Sequence, residues 1–160
     1  MLRTLVAVLS ILLLSGPAGA QIDEQGHWNQ DYDPHVAALG LAVGYTSGTG
    51  LALRWPAFPQ TMISVAGGAW GQSDELDWNL GAEAHYVLRQ SGRTRVFLGP
   101  GIGAYSDHDA DDTNVNVSLN VGFERLLRPR LSVKADIGFT YLGDDGAVYP
   151  LPQISVFYYF

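Results

Sequence analysis

Glu83, His85 and Ser118 are the residues of this chain whose types could do chemistry together. An acid beside an imidazole, with a hydroxyl in reach, is the arrangement that activates a nucleophile. Glu83 and His85 are two apart, so on a strand they share a face. A histidine held inside a polar network is the plainer expectation for the same pair, and no enzymatic activity is expected from it. A second set is Asp107-His-Asp-Ala-Asp-Asp112, with acids at the first, third and fifth places of a calcium loop. Its sixth place is Asp112 where a glycine is needed, and its twelfth is Ser118 where a glutamate is needed, so it is no EF-hand. Asp107, Asp109, Asp111 and Asp112 stay a weak candidate for loose divalent-cation binding, because crowded carboxylates repel unless a cation sits among them. No other metal site and no cofactor is expected. The run Gly99-Pro-Gly-Ile-Gly103 lacks the glycine spacing and the following helix of a dinucleotide motif; glycines at a bend or in a tight interior account for it.

These residues need elements to carry them, and the chain offers short alternating runs. Leu131, Val133, Ala135, Ile137, Phe139 and Tyr141 oppose Ser132, Lys134, Asp136, Gly138 and Thr140. Residues 114–124 set Val115, Val117, Leu119, Val121 and Phe123 against Asn114, Asn116, Ser118, Asn120, Gly122 and Glu124. From Trp78 to Leu88 the same pattern places Glu83 and His85 on the polar side. Side chains of a strand alternate between faces, so each run has one oily and one polar or small side. Each is about eleven residues long, the length of a tilted membrane-spanning strand. Weaker runs lie at Val36–Tyr45 and Gly50–Trp55, flanking a tight Thr-Ser-Gly-Thr turn, and at Thr61–Trp70, Thr94–Tyr105 and Pro150–Phe160. Pro100 lacks an N–H, so a bulge or register change is expected there. The facing of 61–70 and 94–105 stays open, with Tyr105 falling on the inward side. Eight antiparallel strands result.

The connections segregate by charge. Short turns carry Arg89, Arg93, Arg125, Arg128 and Arg130, while the longer loops at 71–77, 106–113 and 142–149 hold nine acids and no base. Only strands running up and down sort the two kinds of connection to opposite ends, with both termini at the arginine end. A soluble barrel would turn its oily face inward. Two features favour the inverse. The polar face is rich in Gly, Ala, Ser and Asn, and it balances Arg54, Arg95 and Lys134 against Glu83, Glu124 and Asp136, with His85 beside them. Aromatics gather near strand ends, among them Tyr45, Trp55, Trp70, Trp78, Tyr86, Tyr141 and Tyr158, as in the girdles of membrane barrels.

The first twenty residues hold Arg3, an apolar run from Leu5 to Leu14, the breaker Gly16-Pro17 and a small-x-small pair at Ala18 and Ala20. That is a signal-peptide pattern, too short to span a bilayer as a helix. Removing it leaves eight basic against sixteen acidic residues, an excess of acid that argues against nucleic-acid partners. With no cysteine, neither a lipoprotein anchor nor a disulfide framework is expected. The expected organisation is a cleaved signal peptide at 1–20, a flexible polar segment at 21–34 and a barrel at 35–160.

Ile154, Val156, Tyr158 and a terminal Phe160 stand at every second position. This pattern resembles the C-terminal signature of bacterial outer-membrane proteins, and residues 35–160 resemble, in architecture, small eight-stranded barrels such as OmpX, Ail and the membrane domain of OmpA. The resemblance implies an all-β, transmembrane, eight-stranded antiparallel up-and-down β-barrel in the cell outer membrane, monomeric, among outer-membrane lipid and lipopolysaccharide. It also implies that the barrel-assembly machinery reads Phe160. A His-x-Ser pattern like that of outer-membrane deacylases is absent after His27, His35, His85 and His108. Eight strands leave a lumen that side chains just fill. The expected role is therefore non-enzymatic: structural, surface-interacting or protective. A narrow channel or conduit for small hydrophobic compounds is the alternative, supported if an open path runs through the Gly-rich strands. A lipid-modifying enzyme comes third.

Overall fold

Alternation of this kind commits each run to one pleated sheet with chemically distinct faces, and a sheet with an oily side needs closure or cover. The computed structural model, which describes residues 37–72, 75–107, 112–143 and 146–160, closes it. Its strands are β1 (Ala38–Val43), β2 (Gly50–Phe58), β3 (Thr61–Gln72), β4 (Glu75–Ser91), β5 (Thr94–Asp107), β6 (Asp112–Arg128), β7 (Leu131–Leu142) and β8 (Ala147–Tyr159). Each pairs antiparallel with its neighbours, and β8 returns to β1 to form a closed barrel. At the seam Ala38 lies opposite Tyr159 and Val43 opposite Ile154. The signal-peptide pattern and the 21–34 segment lie outside the described residues.

The faces are inverted relative to a soluble barrel. Leu41, Leu51, Leu119 and Phe139 are more than half exposed on the exterior, while Arg54, Glu124 and Lys134 are at most 1% exposed inside. An oily exterior wrapped around buried charge is stable only where the solvent is hydrocarbon. The fold is a transmembrane eight-stranded antiparallel up-and-down barrel. The open facings resolve as well: Met62, Ser64 and Ala66 of β3 and Arg95, Phe97 and Gly99 of β5 are buried in the lumen.

Three of the sequence expectations need correction. The strands of 114–124 and 78–88 grow to 17 residues each, as β6 and β4. Alternation marks only the stretch against lipid, whereas the backbone ladder continues into the polar ends. Pro100 causes no register change: it pairs with Leu119 in an unbroken register, and the shift between β4 and β5 lies at Val87–Arg89. Pairing with β4 is interrupted beside Pro100 but resumes in the same register, because the wall on both sides holds the strand in place.

The third correction concerns the first connection. β1 is shorter than the Val36–Tyr45 run expected for it, and the tight Thr-Ser-Gly-Thr turn lies inside the barrel. β1 stops at Val43, and the chain then folds into the lumen, where Thr46 and Ser47 are 0% and 3% exposed. Short turns at Pro59–Gln60, Gly92–Arg93 and Pro129–Arg130 define the opposite, turn end. Gln60 and Gly92 there have positive φ, 66° and 49°, the geometry of a tight reversal.

This inward fold leaves the wall uneven. β1 and β2 finish at Val43 and Gly50, but β3 runs on to Gln72 and β8 begins at Ala147. Among the described residues, no strand covers the free edges of β3 beyond Gly67 or of β8 before Ile154. The register shows how the β8 edge is tolerated. Phe160 donates its N–H to Ala37 while Tyr159 donates to Arg130, so even-numbered residues aim at β1 and odd-numbered ones at β7. Pro150 and Pro152 are even-numbered, so each lacks its N–H on the uncovered side and the ladder to β7 is whole. Prolines at such an edge also discourage another strand from adding there.

Candidate functional site

The lumen holds two polar centres stacked along its axis. Nearer the turn end is Glu124. Arg54 Nη1 lies 2.7 Å from its Oε2, with Arg95 Nη1 at 4.0 Å. Its other oxygen, Oε1, accepts from Ser132 Oγ and from the Tyr159 hydroxyl, each at 2.6 Å. Both carboxylate oxygens are thereby engaged, which a fully buried carboxylate requires. The Arg54 guanidinium also sits 5.3 Å from the Phe157 ring centre, a cation–π distance.

Above it is Glu83. Lys134 Nζ bonds Glu83 Oε2 and reaches Asp136 Oδ2 at 2.9 Å. His85 Nε2 lies 3.1 Å from Glu83 Oε2, and its ring packs on Phe97 at 4.3 Å. Glu83 Oε1 accepts from Asn120 at 2.9 Å and from Gln153 at 3.0 Å. All seven residues expected in a lumen charge network (Arg54, Glu83, His85, Arg95, Glu124, Lys134 and Asp136) are brought together and buried. Three bases balance three acids, so little net charge is stranded away from water.

The sequence reading missed Asn120, Gln153 and Tyr159 as members of this network. Their inward parity was readable from the alternation, but their types do not announce a partner. Gln153 matters most. Its Nε2 donates to Asp136 at 2.9 Å, and its Oε1 accepts from the backbone N–H of Thr46 at 3.2 Å and of Ser47 at 2.8 Å. One side chain therefore ties the charge network to the inward-folded turn. Ser118 does not complete a nucleophile set with Glu83 and His85: its Oγ bonds Thr46 Oγ1 and Asn120 Oδ1, each at 2.7 Å.

The 44–49 turn occupies the space that glycines leave open. A Cβ at Gly81 would stand 2.2 Å from Gly48 N, and one at Gly103 would stand 2.3 Å from Tyr45 O. Real Cβ atoms do not approach that closely, so β4 and β5 can carry no side chain at these points while the turn is inside. Gly101 makes room for side chains instead, since its Cβ would meet those of Asn120, Ser118 and Thr46 within 3.0 Å. Main chain of the turn therefore lies against Gly81 and Gly103, whereas a Cβ at Gly99 would meet the Ala84 carbonyl of β4. Asn79 holds the far end of the turn, accepting from Thr49 N at 2.5 Å and donating to Thr49 O at 2.9 Å.

Over the turn, at the loop end, a cavity of about 330 Å³ opens. Trp70, Asp77, Trp78, Tyr105, Ser106, Asn114, Asn116 and Leu142 form its wall from β3 to β7, and Tyr45 of the turn forms its floor. Tyr105 faces inward as expected, and its hydroxyl donates to Gly44 O at 2.5 Å. Its ring stands 6.2 Å from that of Tyr45. Trp70 needs correction: it shares the inward parity of Met62, Ser64 and Ala66 and lines this vestibule, so it is not a girdle residue. Ile154, Val156, Tyr158 and Phe160 point outward beside β1, with Tyr158 and Phe160 at least half exposed. Of the acidic candidate set, Asp109 and Asp111 lie outside the described residues. Asp107 and Asp112 are placed only by their backbones, opposite one another at the ends of β5 and β6. Glu75, Asp77, Asp107 and Asp112 lie at the loop end, opposite the Arg93, Arg128 and Arg130 turns, as the charge segregation required.

No family model matches the chain, and no curated protein matches it. Among solved structures, one described as "De novo design of transmembrane beta-barrels" is similar over 81% of this chain and 98% of its own, at 13% identity and a TM-score of 0.45. At that level the likeness adds nothing to the closed barrel and its inverted polarity, which stand on this chain's own register.

Proposed function

We propose that this protein is an integral, non-enzymatic component of the bacterial outer membrane, without a through-pore, whose role lies in its loop-end surface. The observation that carries this reading is the filled lumen. Two buried charge centres and an inward-folded turn occupy the lumen, where a channel would need open space. The N-terminal signal-peptide pattern and the alternating C-terminal residues up to Phe160 support export and assembly in that membrane. In this reading the arginine-bearing turns face the periplasm and the acidic loops face outward, among lipopolysaccharide. The barrel-assembly machinery inserts the chain as a monomer.

The test combines fractionation with conductance. The protein is expected in the outer-membrane fraction, resistant to urea extraction, and electrically silent in planar bilayers. Recovery from the soluble periplasm would overturn the membrane assignment. A steady single-channel conductance from the pure protein would overturn the sealed lumen and restore the conduit.

A further inference from the structure

We propose that the loop-end vestibule is a binding site for one small apolar molecule bearing a hydroxyl or amine donor, admitted sideways from the lipid. The passage is the gap between the free edges of β3 and β8, above the 44–49 turn. The proposal rests on the transmembrane reading of the barrel but not on its lumen being sealed to ions.

Three observations converge on it. First, the cavity holds about 330 Å³, at the lower end of the range of roughly 300–1,000 Å³ typical of small-molecule sites. Second, its lining combines an apolar body with few polar groups. Trp70, Tyr45 and Tyr105 offer aromatic faces, while Asp77 and Asn114 offer acceptor oxygens on the wall. Such a lining suits a ring system or short chain with a single donor at one end. Third, among the described residues, no strand completes the barrel wall on one side. The cavity is walled by β3 to β7 and floored by Tyr45, while β1 and β2 stop at Val43 and Gly50. The β8 flank of that gap presents Val148, Pro150 and Pro152 outward, all apolar and exposed, so the opening faces hydrocarbon. The two prolines keep it an opening, because an edge short of N–H groups is a poor template for a further strand.

The test uses the full chain in phosphatidylcholine vesicles. With Trp28, Trp55 and Trp78 replaced by Phe, Trp70 reports alone. Its emission should be quenched by lipid brominated along the acyl chain, although its side chain lies on the inward row. Added hexylphenol should relieve that quenching saturably, and Asn116→Phe, which fills the cavity, should abolish the relief. Because Asn116→Phe could disturb folding, hydroxybenzophenone supplies a second arm on the unmodified chain. Irradiation should give adducts on the Trp70 and Tyr105 peptides that excess hexylphenol suppresses. Trp70 quenched by aqueous acrylamide but not by brominated lipid would overturn the sideways route. Adducts spread over lipid-facing residues such as Val117 and Leu119, unaffected by hexylphenol, would overturn the site. A chain that never enters vesicles would instead overturn the transmembrane reading, which separates the two failures.

Discussion

The turn-end and loop-end halves of the lumen are filled by different means. In the turn-end half, long side chains do it: Arg54, Arg95, Glu124, Phe97, Phe157 and Tyr159 reach inward from their own strands. In the loop-end half, the strands supply glycines and a stretch of main chain from the 44–49 turn occupies the room. The first kind of filling is fixed strand by strand, since each residue's parity decides its direction. The second requires a turn from one edge of the barrel to meet glycines three and four strands away. Only the closed barrel brings them together.

The contrast can be broken from the charged half first. Lys134→Met would leave Glu83 and Asp136 without their shared cation, and losing one partner of a buried pair costs about 3–5 kcal/mol. Urea titrations of the protein in lipid vesicles should show that loss, and adding Asp136→Asn should recover part of it. A loss below the range for ordinary surface changes would mean that the network is open to water.

Next comes the distinction between exterior and interior. Leu119 is 51% exposed on the lipid side, so Leu119→Arg places a charge in hydrocarbon and should cost about 2–4 kcal/mol near the midplane. Its inward neighbour Ser118 loses only hydrogen bonds on Ser118→Ala, about 1 kcal/mol. The reverse ranking in the same titrations would mean that the oily face is the core of a soluble barrel.

The glycine-bedded half is probed by Gly81→Val. A side chain there collides with the Gly48 backbone, and overpacking of this kind costs about 1–3 kcal/mol. The barrel should persist while the turn is displaced, which limited proteolysis within 44–49 would detect. A turn that stays protected would show that it is not held by fit against β4. The smallest effect belongs to the seam. Pro152→Val restores an N–H on the uncovered side of β8 and should change stability by less than about 0.5 kcal/mol. A large gain would reveal a hydrogen-bond partner for that edge.

Much of this was legible in the chain before folding. Alternation at Leu131–Tyr141 and 114–124 determined which residues face lipid, because a strand's period of two leaves no freedom once one face is oily. The balance of Arg54, Arg95 and Lys134 against Glu83, Glu124 and Asp136 followed from the same parity, since unpaired charge cannot be kept inside. Partners were not determined: whether Lys134 meets Glu83, or Tyr159 meets Glu124, depends on distances across the barrel. The weakly patterned ends misled most, with the first strand read on to Tyr45 and Trp70 as a girdle residue. A segment that fills space with backbone leaves only missing side chains as its trace, and missing side chains at Gly81 and Gly103 do not say what will occupy the room. The sequence by itself determined the strands, the facing of the strongly alternating ones and the charge balance, because those depend on neighbours two residues away. The inward turn, the low wall and the vestibule were decided by tertiary structure, because they depend on which strands closure sets side by side.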